Sequence, residues 1–153
     1  MLIVSVMMGI VVTQLPSSST SLELKRESER LVTLLTMASD EAVIRGSELG
    51  FEIERDLYSF YEFRDETEDW VAIEDAPYQS RQMPDGIELL LKLEGRKRLL
   101  DTEGDVPPIL LLSSGEVTPF DLTVHDPGDS NSAYTISTDG FSGFSTEDSS
   151  DKP

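Results

Sequence analysis

The spacing of apolar and polar side chains divides the chain into three parts. Residues 1–12 are almost wholly apolar and carry no charge. Residues 20–44 place apolar side chains on one helical stripe, at Leu24, Leu31, Leu34, Leu35, Ala38 and Ala42. Beyond this stripe the period changes to two, which is typical of β-strands. The pattern therefore predicts an apolar segment at 1–15, an amphipathic helix at 16–46 and a β-rich head at 47–144.

The predicted helix has start and stop signals in the sequence. Pro16 lacks a backbone donor and ends or kinks any helix that reaches it. Thr20 and Glu23 have the spacing of a capping box, which indicates a helix start. Gly46 directly after Arg45 is typical of a helix end, because a cation in the last turn favours the helix dipole and glycine favours the left-handed cap.

The head is predicted to consist of six to eight short strands. The segment "LGFEIERDLYSFYEF" predicts a β-hairpin, since apolar and polar positions alternate on both sides of a charged turn. Further strands are expected around Trp70, at 87–93, at 109–112, around Leu122 and around Ile136. Residues 145–153 are rich in Ser and Asp, and we expect them to form a disordered acidic tail.

These elements predict the fold class. A helix with one apolar stripe and a sheet with one apolar face cover each other in a two-layer arrangement. The fold expected is α+β, with a long N-terminal α-helix packed on antiparallel β-sheet. A chain of 153 residues is long enough to bury one such core.

The apolar segment at 1–12 has four interpretations. It is too short to span a membrane alone, since a transmembrane helix needs about twenty apolar residues. A secretory signal would need a preceding basic region and a cleavage site after it, and neither is visible. A buried strand or helix of a soluble core fits it loosely. We favour the fourth interpretation, that it is the second half of a longer membrane helix whose beginning lies upstream of Met1.

Charge limits the partners. The chain carries 12 Lys and Arg against 30 Asp and Glu, a net charge of −18. Because such a field repels phosphate backbones, we predict no nucleic-acid partner. The basic run at 96–98 is interpreted as a solvated turn. With no cysteine, disulfides and thiolate metal sites are excluded.

The sequence offers little for catalysis. The single histidine, His125, is expected on the polar face of its strand, and no nucleophile elbow accompanies it. "GFSGF" at 140–144 lacks the G-x-S-x-G spacing and predicts a glycine-rich turn. We therefore predict that the protein is not an enzyme.

Two acidic loops are the candidates for a cofactor. They contain Asp101, Glu103 and Asp105 in the first and Asp126, Asp129 and Asn131 in the second. Calcium prefers six to eight oxygen ligands, of which each loop supplies three or four, and neither loop has the EF-hand pattern. The prediction is no cofactor, with calcium as the alternative.

Three segments of the chain resemble the H-type minor pseudopilins of bacterial type II secretion systems. The stretch "ESERLVTLLTMASDEAVIRG" is similar to the family's E-x-x-R-L and D/E-E-A-x-x-R-G motifs, through Glu27, Arg30, Leu31 and the run 40–46. The stretch "SSGEVTPFDL" is similar to its S-G-E-x-T-P-F-x-L segment. "YTISTDGFSGF" resembles the closing glycine-rich strand pair of the family.

The resemblance implies a structural subunit that joins other minor pseudopilins and the major pseudopilin at the tip of a periplasmic pseudopilus. It implies an inner-membrane location through the N-terminal helix, with the head in the periplasm, and contacts with secreted cargo and the outer-membrane secretin. The residues expected to pack subunits together are Ile3, Val6, Met7, Ile10, Leu24 and Leu31. The family's leader and G-F-T-L-x-E start are expected upstream of Met1.

Two other functions remain open at this point. One is a minor pilin-like subunit of type IV pili. The other is a secreted acidic module that binds calcium or carbohydrate.

Overall fold

The computed structural model describes residues 18–93, 96–97 and 106–150, and of residues 18, 19, 96 and 97 it describes only the backbone. Within these ranges one helix is followed by ten strands. They are α1 (Ser18–Arg45), β1 (Leu49–Ile53), β2 (Leu57–Arg64), β3 (Asp69–Ala72), β4 (Arg81–Gln82), β5 (Glu88–Leu93), β6 (Arg96–Lys97), β7 (Ile109–Leu111), β8 (Phe120–Asp126), β9 (Asp129–Thr138) and β10 (Ser145–Asp148). The helix of the described residues is not apolar enough over any 18-residue stretch to cross a membrane.

The helix α1 ends where the sequence predicted, and its first described residue, Ser18, lies inside the predicted range 16–46. Gly46 follows it in the left-handed conformation, at φ +63°, and Ser47 N–H donates back to the Ala42 carbonyl at 3.1 Å. At the other end the backbone is already helical at Ser18. Thr20 therefore lies inside the helix, and the predicted capping box at Thr20 is wrong.

The first sheet contains the predicted hairpin. Its strand order is β3-β2-β1-β7, and β4 pairs with β2 as well. In the antiparallel pair β1–β2, Phe51 lies opposite Phe60. Because side chains alternate along a strand, both aromatic rings point to the same face, where each is fully buried. Their ring centroids are 4.7 Å apart.

The second sheet has the order β10-β9-β8-β5-β6. All its pairs are antiparallel, and the register places Leu91 opposite Leu122 and Leu122 opposite Ile136. These three side chains are fully buried on one face. Since β5 and β8 are separated by more than 25 residues, their pairing is a long-range feature that no local pattern specified.

The core lies where α1 meets the inner faces of both sheets. The fully buried positions of the helix are Leu24, Ser28, Leu31, Leu35, Ala38 and Ala42. Five of these six belong to the predicted apolar stripe, whose other member, Leu34, is 6% exposed. The α+β prediction of a long helix packed on antiparallel sheet is confirmed.

Three details of the sequence prediction are wrong. The strands number ten in the described residues, because β4 and β6 contain only two residues each and have no pattern of their own. The basic run forms a strand at Arg96–Lys97 instead of a turn. The tail is not disordered at Ser145–Asp148, which pairs with β9. In each case backbone pairing with a neighbouring strand decided the structure of a segment that has little apolar character.

The predicted segment boundaries at 1–15 and the end of the tail at 151–153 lie outside the described residues.

Candidate functional site

The E-x-x-R motif fastens the helix to the first sheet. Glu27 is 5% exposed, and its Oε1 accepts a hydrogen bond from Arg81 Nη2 at 2.9 Å. Burial raises the pKa of the Tyr58 hydroxyl, against the opposing effect of Arg30 nearby. Three buried atoms of this group have no partner within the described residues: Glu27 Oε2, Arg81 Nε and the Tyr58 hydroxyl. The motif therefore has a structural role in this chain.

The turn at 113–116, which contains the S-G-E motif, lies against the end of α1 and the residue before β1. Glu48 accepts hydrogen bonds from the Ser113 amide at 3.0 Å and from the Ser113 hydroxyl at 2.7 Å. Gly115 adopts φ +90°, and a Cβ placed there would lie 3.7 Å from Val43 Cγ2 of the helix. A turn with left-handed glycine is thus held against the last turn of α1.

The T-P-F part of the same segment joins the two sheets. Thr118 exchanges two hydrogen bonds with Leu110 of β7: its amide donates to the Leu110 carbonyl at 2.9 Å, and its hydroxyl accepts from the Leu110 amide at 3.0 Å. Val117 N–H donates to the Gly140 carbonyl at 2.9 Å. A Cβ on Gly140, which has φ +96°, would lie 2.6 Å from the Val117 carbonyl oxygen. Only glycine fits there.

The predicted subunit-packing residues divide into two groups. Leu24 and Leu31 are 0% exposed in the core of this same chain. Their side chains are therefore covered by the chain's own sheets, and the structure does not support contact with another subunit at these positions. The remaining four, Ile3, Val6, Met7 and Ile10, lie outside the described residues.

The candidate chemical groups are incorporated in ordinary strands and turns. His125 lies on the outer face of the second sheet, opposite Glu88 and Ala133, and within the described residues no hydrogen bond joins it to a serine. Asp126 accepts from the Gly128 amide at 2.7 Å, and Asp129 accepts from the Asn131 amide at 3.0 Å.

Calcium binding remains an untested prediction for these loops. In the part of the chain that the structure describes, no cluster of three metal-ligating side chains is present. Residues 101–105, the other predicted loop, lie outside that part.

The outward face of α1 changes character along its length. Its first half exposes mainly charged side chains, Glu23, Lys25, Arg26, Glu29 and Arg30, together with Ser21 and Leu22. Its second half exposes a strip formed by Thr33, Thr36, Met37, Asp40, Val43 and Ile44, of which Asp40 alone is charged, and it also exposes Arg45 at its last position. We call the first six residues the outer strip. Ile44 is 83% exposed, Val43 49% and Met37 45%.

The outer face of the first sheet forms an open cleft of about 740 Å³. We call it the aromatic cleft, and it is lined by Glu52, Tyr61, Phe63, Glu68, Asp69, Trp70, Val71, Val106 and Pro107. Phe63 and Trp70 lie opposite each other in register, with ring centroids 5.3 Å apart at an interplanar angle of 57°. These rings are only half-buried.

Glu52 and Tyr61 form the polar side of the aromatic cleft. The Tyr61 hydroxyl donates to Glu52 Oε2 at 2.6 Å. This bond and, secondarily, burial raise the pKa of Tyr61 to about 12. Gly50 forms the floor, since a Cβ there would lie 2.5 Å from Pro107 Cγ.

A third exposed feature is Phe141, which is 76% exposed on the loop after β9. Asp139 holds this loop by accepting hydrogen bonds from the Phe141 amide at 2.9 Å and the Ser142 amide at 2.8 Å. These bonds lower the pKa of Asp139 to about 2. The glycine-rich turn predicted for "GFSGF" is confirmed, with Gly140 and Gly143 both at positive φ.

Sequence reasoning missed the aromatic cleft. Tyr61 and Phe63 lie at alternate positions of β2, out of phase with the buried Phe60, and two aromatic side chains off the core face were the available signal. The contributions of Trp70 and Pro107 were not visible, because pairing of β3 with β2 and approach of the segment before β7 bring them there.

Comparison with known proteins gives a consistent result. The family model described as "Type II transport protein GspH" matches residues 27–140. Type II secretion system protein H of Pseudomonas aeruginosa is 35% identical over 150 residues, covering 92% of this chain and 86% of that protein. Type II secretion system protein H of Aeromonas hydrophila is 28% identical over 138 residues, covering 80% of this chain and 75% of that protein.

Solved structures share the fold. The minor pseudopilin EpsH of Vibrio cholerae superposes with a TM-score of 0.71 at 22% identity, over 84% of this chain and 95% of that one. The solution structure of Escherichia coli GspH superposes with a TM-score of 0.70 at 16% identity, over 90% of this chain and 96% of that one. The family match spans most of the described head together with the helix motifs that hold it, so the chain belongs to the GspH family and is a structural minor pseudopilin of type II secretion.

Proposed function

We propose that this chain joins other minor pseudopilins and the major pseudopilin at the tip of the periplasmic pseudopilus, as a scaffold without catalytic activity. It sits in the inner membrane through its N-terminal helix and holds its head in the periplasm. Secreted cargo and the outer-membrane secretin are the further partners of the head. The observation that carries the proposal is the outer strip of α1.

The helix has two faces with different coverage. Its inner stripe, from Leu24 to Ala42, is covered by the chain's own sheets. Its outer strip exposes Met37, Val43 and Ile44, although nothing in the fold requires apolar side chains there. An exposed apolar stripe on a helix is typical of a surface that packs against a second helix.

The threonines of the outer strip fit the same purpose. The Thr33 hydroxyl donates to the Glu29 carbonyl at 2.9 Å, and the Thr36 hydroxyl donates to the Val32 carbonyl at 2.8 Å. With their hydroxyls satisfied within the helix, these side chains present methyl groups at little desolvation cost. A neighbouring helix of a filament would meet a short, nearly uncharged surface.

Residues 1–12 extend this argument toward the membrane. An all-round apolar segment needs lipid or partner helices on every side, whereas the outer strip needs a neighbour on one side. A helix that passes from a bilayer into a bundle with helices of other subunits meets both environments in that order.

The test is assembly with the other minor pseudopilins of the same secretion system. The full chain is co-expressed with them, and the stoichiometry of the purified complex is measured. We expect a stoichiometric complex that Ile44→Glu weakens by about tenfold or more, because a carboxylate would lose its water in the helix contact. Ile44→Leu is the matched control and should assemble normally.

Two further measurements make the result decisive. Ile44→Lys should weaken assembly as Ile44→Glu does, which separates loss of an apolar contact from a change in net charge. Each variant should melt at the wild-type temperature, since Ile44 is outside the core. Failure of the wild-type chain to form the complex, or normal assembly of both charged variants, would contradict the proposal.

A further inference from the structure

The aromatic cleft has features of a site for a cation. Its rings, Tyr61, Phe63 and Trp70, are grouped on one side of the first sheet and remain half exposed. Three carboxylates, those of Glu52, Glu68 and Asp69, stand at its edge, and among the described lining residues none is basic. Aromatic faces and carboxylates attract the same kind of ligand, a delocalised cation.

We propose that the aromatic cleft binds an arginine side chain carried by a partner protein of the pseudopilus. A guanidinium group stacks on aromatic rings and bonds to carboxylates at its edges, which matches this lining better than a compact ammonium does. Because the chain has a net charge of −18, a cationic partner is also favoured at long range. That the arginine belongs to a pseudopilus partner rests on the proposed function.

The cleft is preformed, which favours specific binding. Gly50 lets Pro107 pack directly on β1, because any Cβ would lie 2.5 Å from the proline ring. The same Cβ would lie 3.1 Å from Trp70 Cζ3, so the indole edge is positioned by the floor. On the polar side, the 2.6 Å bond from Tyr61 holds the Glu52 carboxylate through its Oε2, and within the described residues Oε1 has no hydrogen bond. Binding of a ligand therefore costs little side-chain entropy in the cleft.

The turn between β2 and β3 supplies the remaining charge. Glu68 N–H donates to the Arg64 carbonyl at 2.8 Å, which closes the turn. Glu68 has φ +56°, a conformation that asparagine or glycine adopts more readily. Glu68→Asn therefore removes one cleft carboxylate without disfavouring the turn, and it is a useful test variant.

Trp70 is the only tryptophan of the chain, so intrinsic fluorescence reports on the cleft directly. The probe is the blocked peptide Gly-Arg-Gly-Arg-Gly, added at millimolar concentration to the full chain. We expect a saturable change in Trp70 emission. The same peptide with citrulline, which keeps the shape of arginine and lacks its charge, should bind about tenfold more weakly.

Matched variants distinguish the cleft from the general acidity of the protein. Glu52→Gln removes one negative charge in the cleft and should weaken the peptide about tenfold. Glu147→Gln removes the same charge from exposed β10 and should have little effect. Glu68→Asn should give an intermediate loss, because that side chain is more exposed.

Four results would overturn the proposal. They are an unchanged Trp70 emission, equal binding of the citrulline peptide, equal weakening by Glu52→Gln and Glu147→Gln, and an altered free-state emission when the chain's own run 96–98 is changed to alanine. The last result would show that the cation comes from this chain. If the chain joins the pseudopilin complex but does not bind the peptide, this inference alone is contradicted. If it binds the peptide but does not join the complex, the proposed function alone is contradicted.

Discussion

The two sheets have similar inner faces and very different outer faces. On the outer face of the second sheet, Thr123 and Thr135 hydroxyls are 3.2 Å apart, and the Ser137 hydroxyl donates to Asp121 at 2.7 Å. These short polar side chains form hydrogen bonds with one another and are compatible with exposure to water. The outer face of the first sheet instead holds Phe63 and Trp70 in the aromatic cleft, with little to cover them in the described chain.

The comparison indicates that the outer faces of the two sheets have different roles. A solvent face needs only satisfied polar groups, and the second sheet has them. Aromatic side chains that stay half exposed contribute less to folding than buried ones, so their presence on the first sheet is better explained by a partner. If the two outer faces differ in this way, substitutions on them and on the buried faces should have unequal consequences.

The largest effect separates the two faces of the first sheet. Phe60→Ala should lower the free energy of unfolding by about 3–5 kcal/mol, because the ring is fully buried against Phe51 and Tyr78. Phe63→Ala, on the outer face of the same strand, should cost only about 1 kcal/mol. Urea denaturation of both variants measures this. Equal losses would mean that the aromatic cleft belongs to the folding core and would remove the contrast.

The second effect concerns the link between helix and first sheet. Arg81→Met leaves the Glu27 carboxylate buried without its partner, and we expect a loss of about 2 kcal/mol. This is less than for a fully buried pair, because the Arg81 side chain is 34% exposed. The double variant Glu27→Met with Arg81→Met should recover most of the loss. If the single and double variants unfold alike in urea, the pair does not matter to the fold.

The smallest effect is a change in titration. The folded-state pKa of Tyr61 is raised to about 12, chiefly by its hydrogen bond to Glu52. The stabilisation is therefore fully present below pH 10 and is lost as pH rises through 12, where tyrosinate would face the carboxylate. Glu52→Gln should return the Tyr61 pKa toward 10.

The measurement of that shift is NMR titration of the tyrosine ring carbons, with the Tyr61 signal assigned from Tyr61→Phe. Tyr78 serves as the internal control, since its pKa of about 12 arises first from burial and then from Glu41. It should not move in the Glu52→Gln variant. A Tyr61 signal that titrates unchanged would show that the 2.6 Å bond does not form in solution.

Parts of the molecule with a strong local period were predictable. The apolar stripe of α1 and the β1–β2 hairpin follow from repeats of 3.6 and 2, and the left-handed Gly46 ends the helix as expected. The strand β10 and the strand at Arg96–Lys97 were not predictable. Their residues are polar or follow no period, and backbone pairing alone defines them.

The candidate sites show the same limit. The family motifs were visible in the sequence, but the contacts that explain them were not, because Glu27 and Arg81 are 54 residues apart and Glu48 and Ser113 are 65 apart. The outer strip was predictable in part, because it lies on the helix surface that remains once the apolar stripe is assigned to the core. The aromatic cleft required Gly50, Trp70 and Pro107 to meet from three segments.

The sequence by itself determined which side of each element is apolar, since side-chain direction follows from the period of helix and strand. It also determined, through its motifs, the family to which the chain belongs. Only the tertiary structure decided which strands are neighbours, which buried charges meet and which aromatic rings are left uncovered. Those outcomes depend on contacts between residues far apart in the chain, and such contacts form only when the whole core assembles.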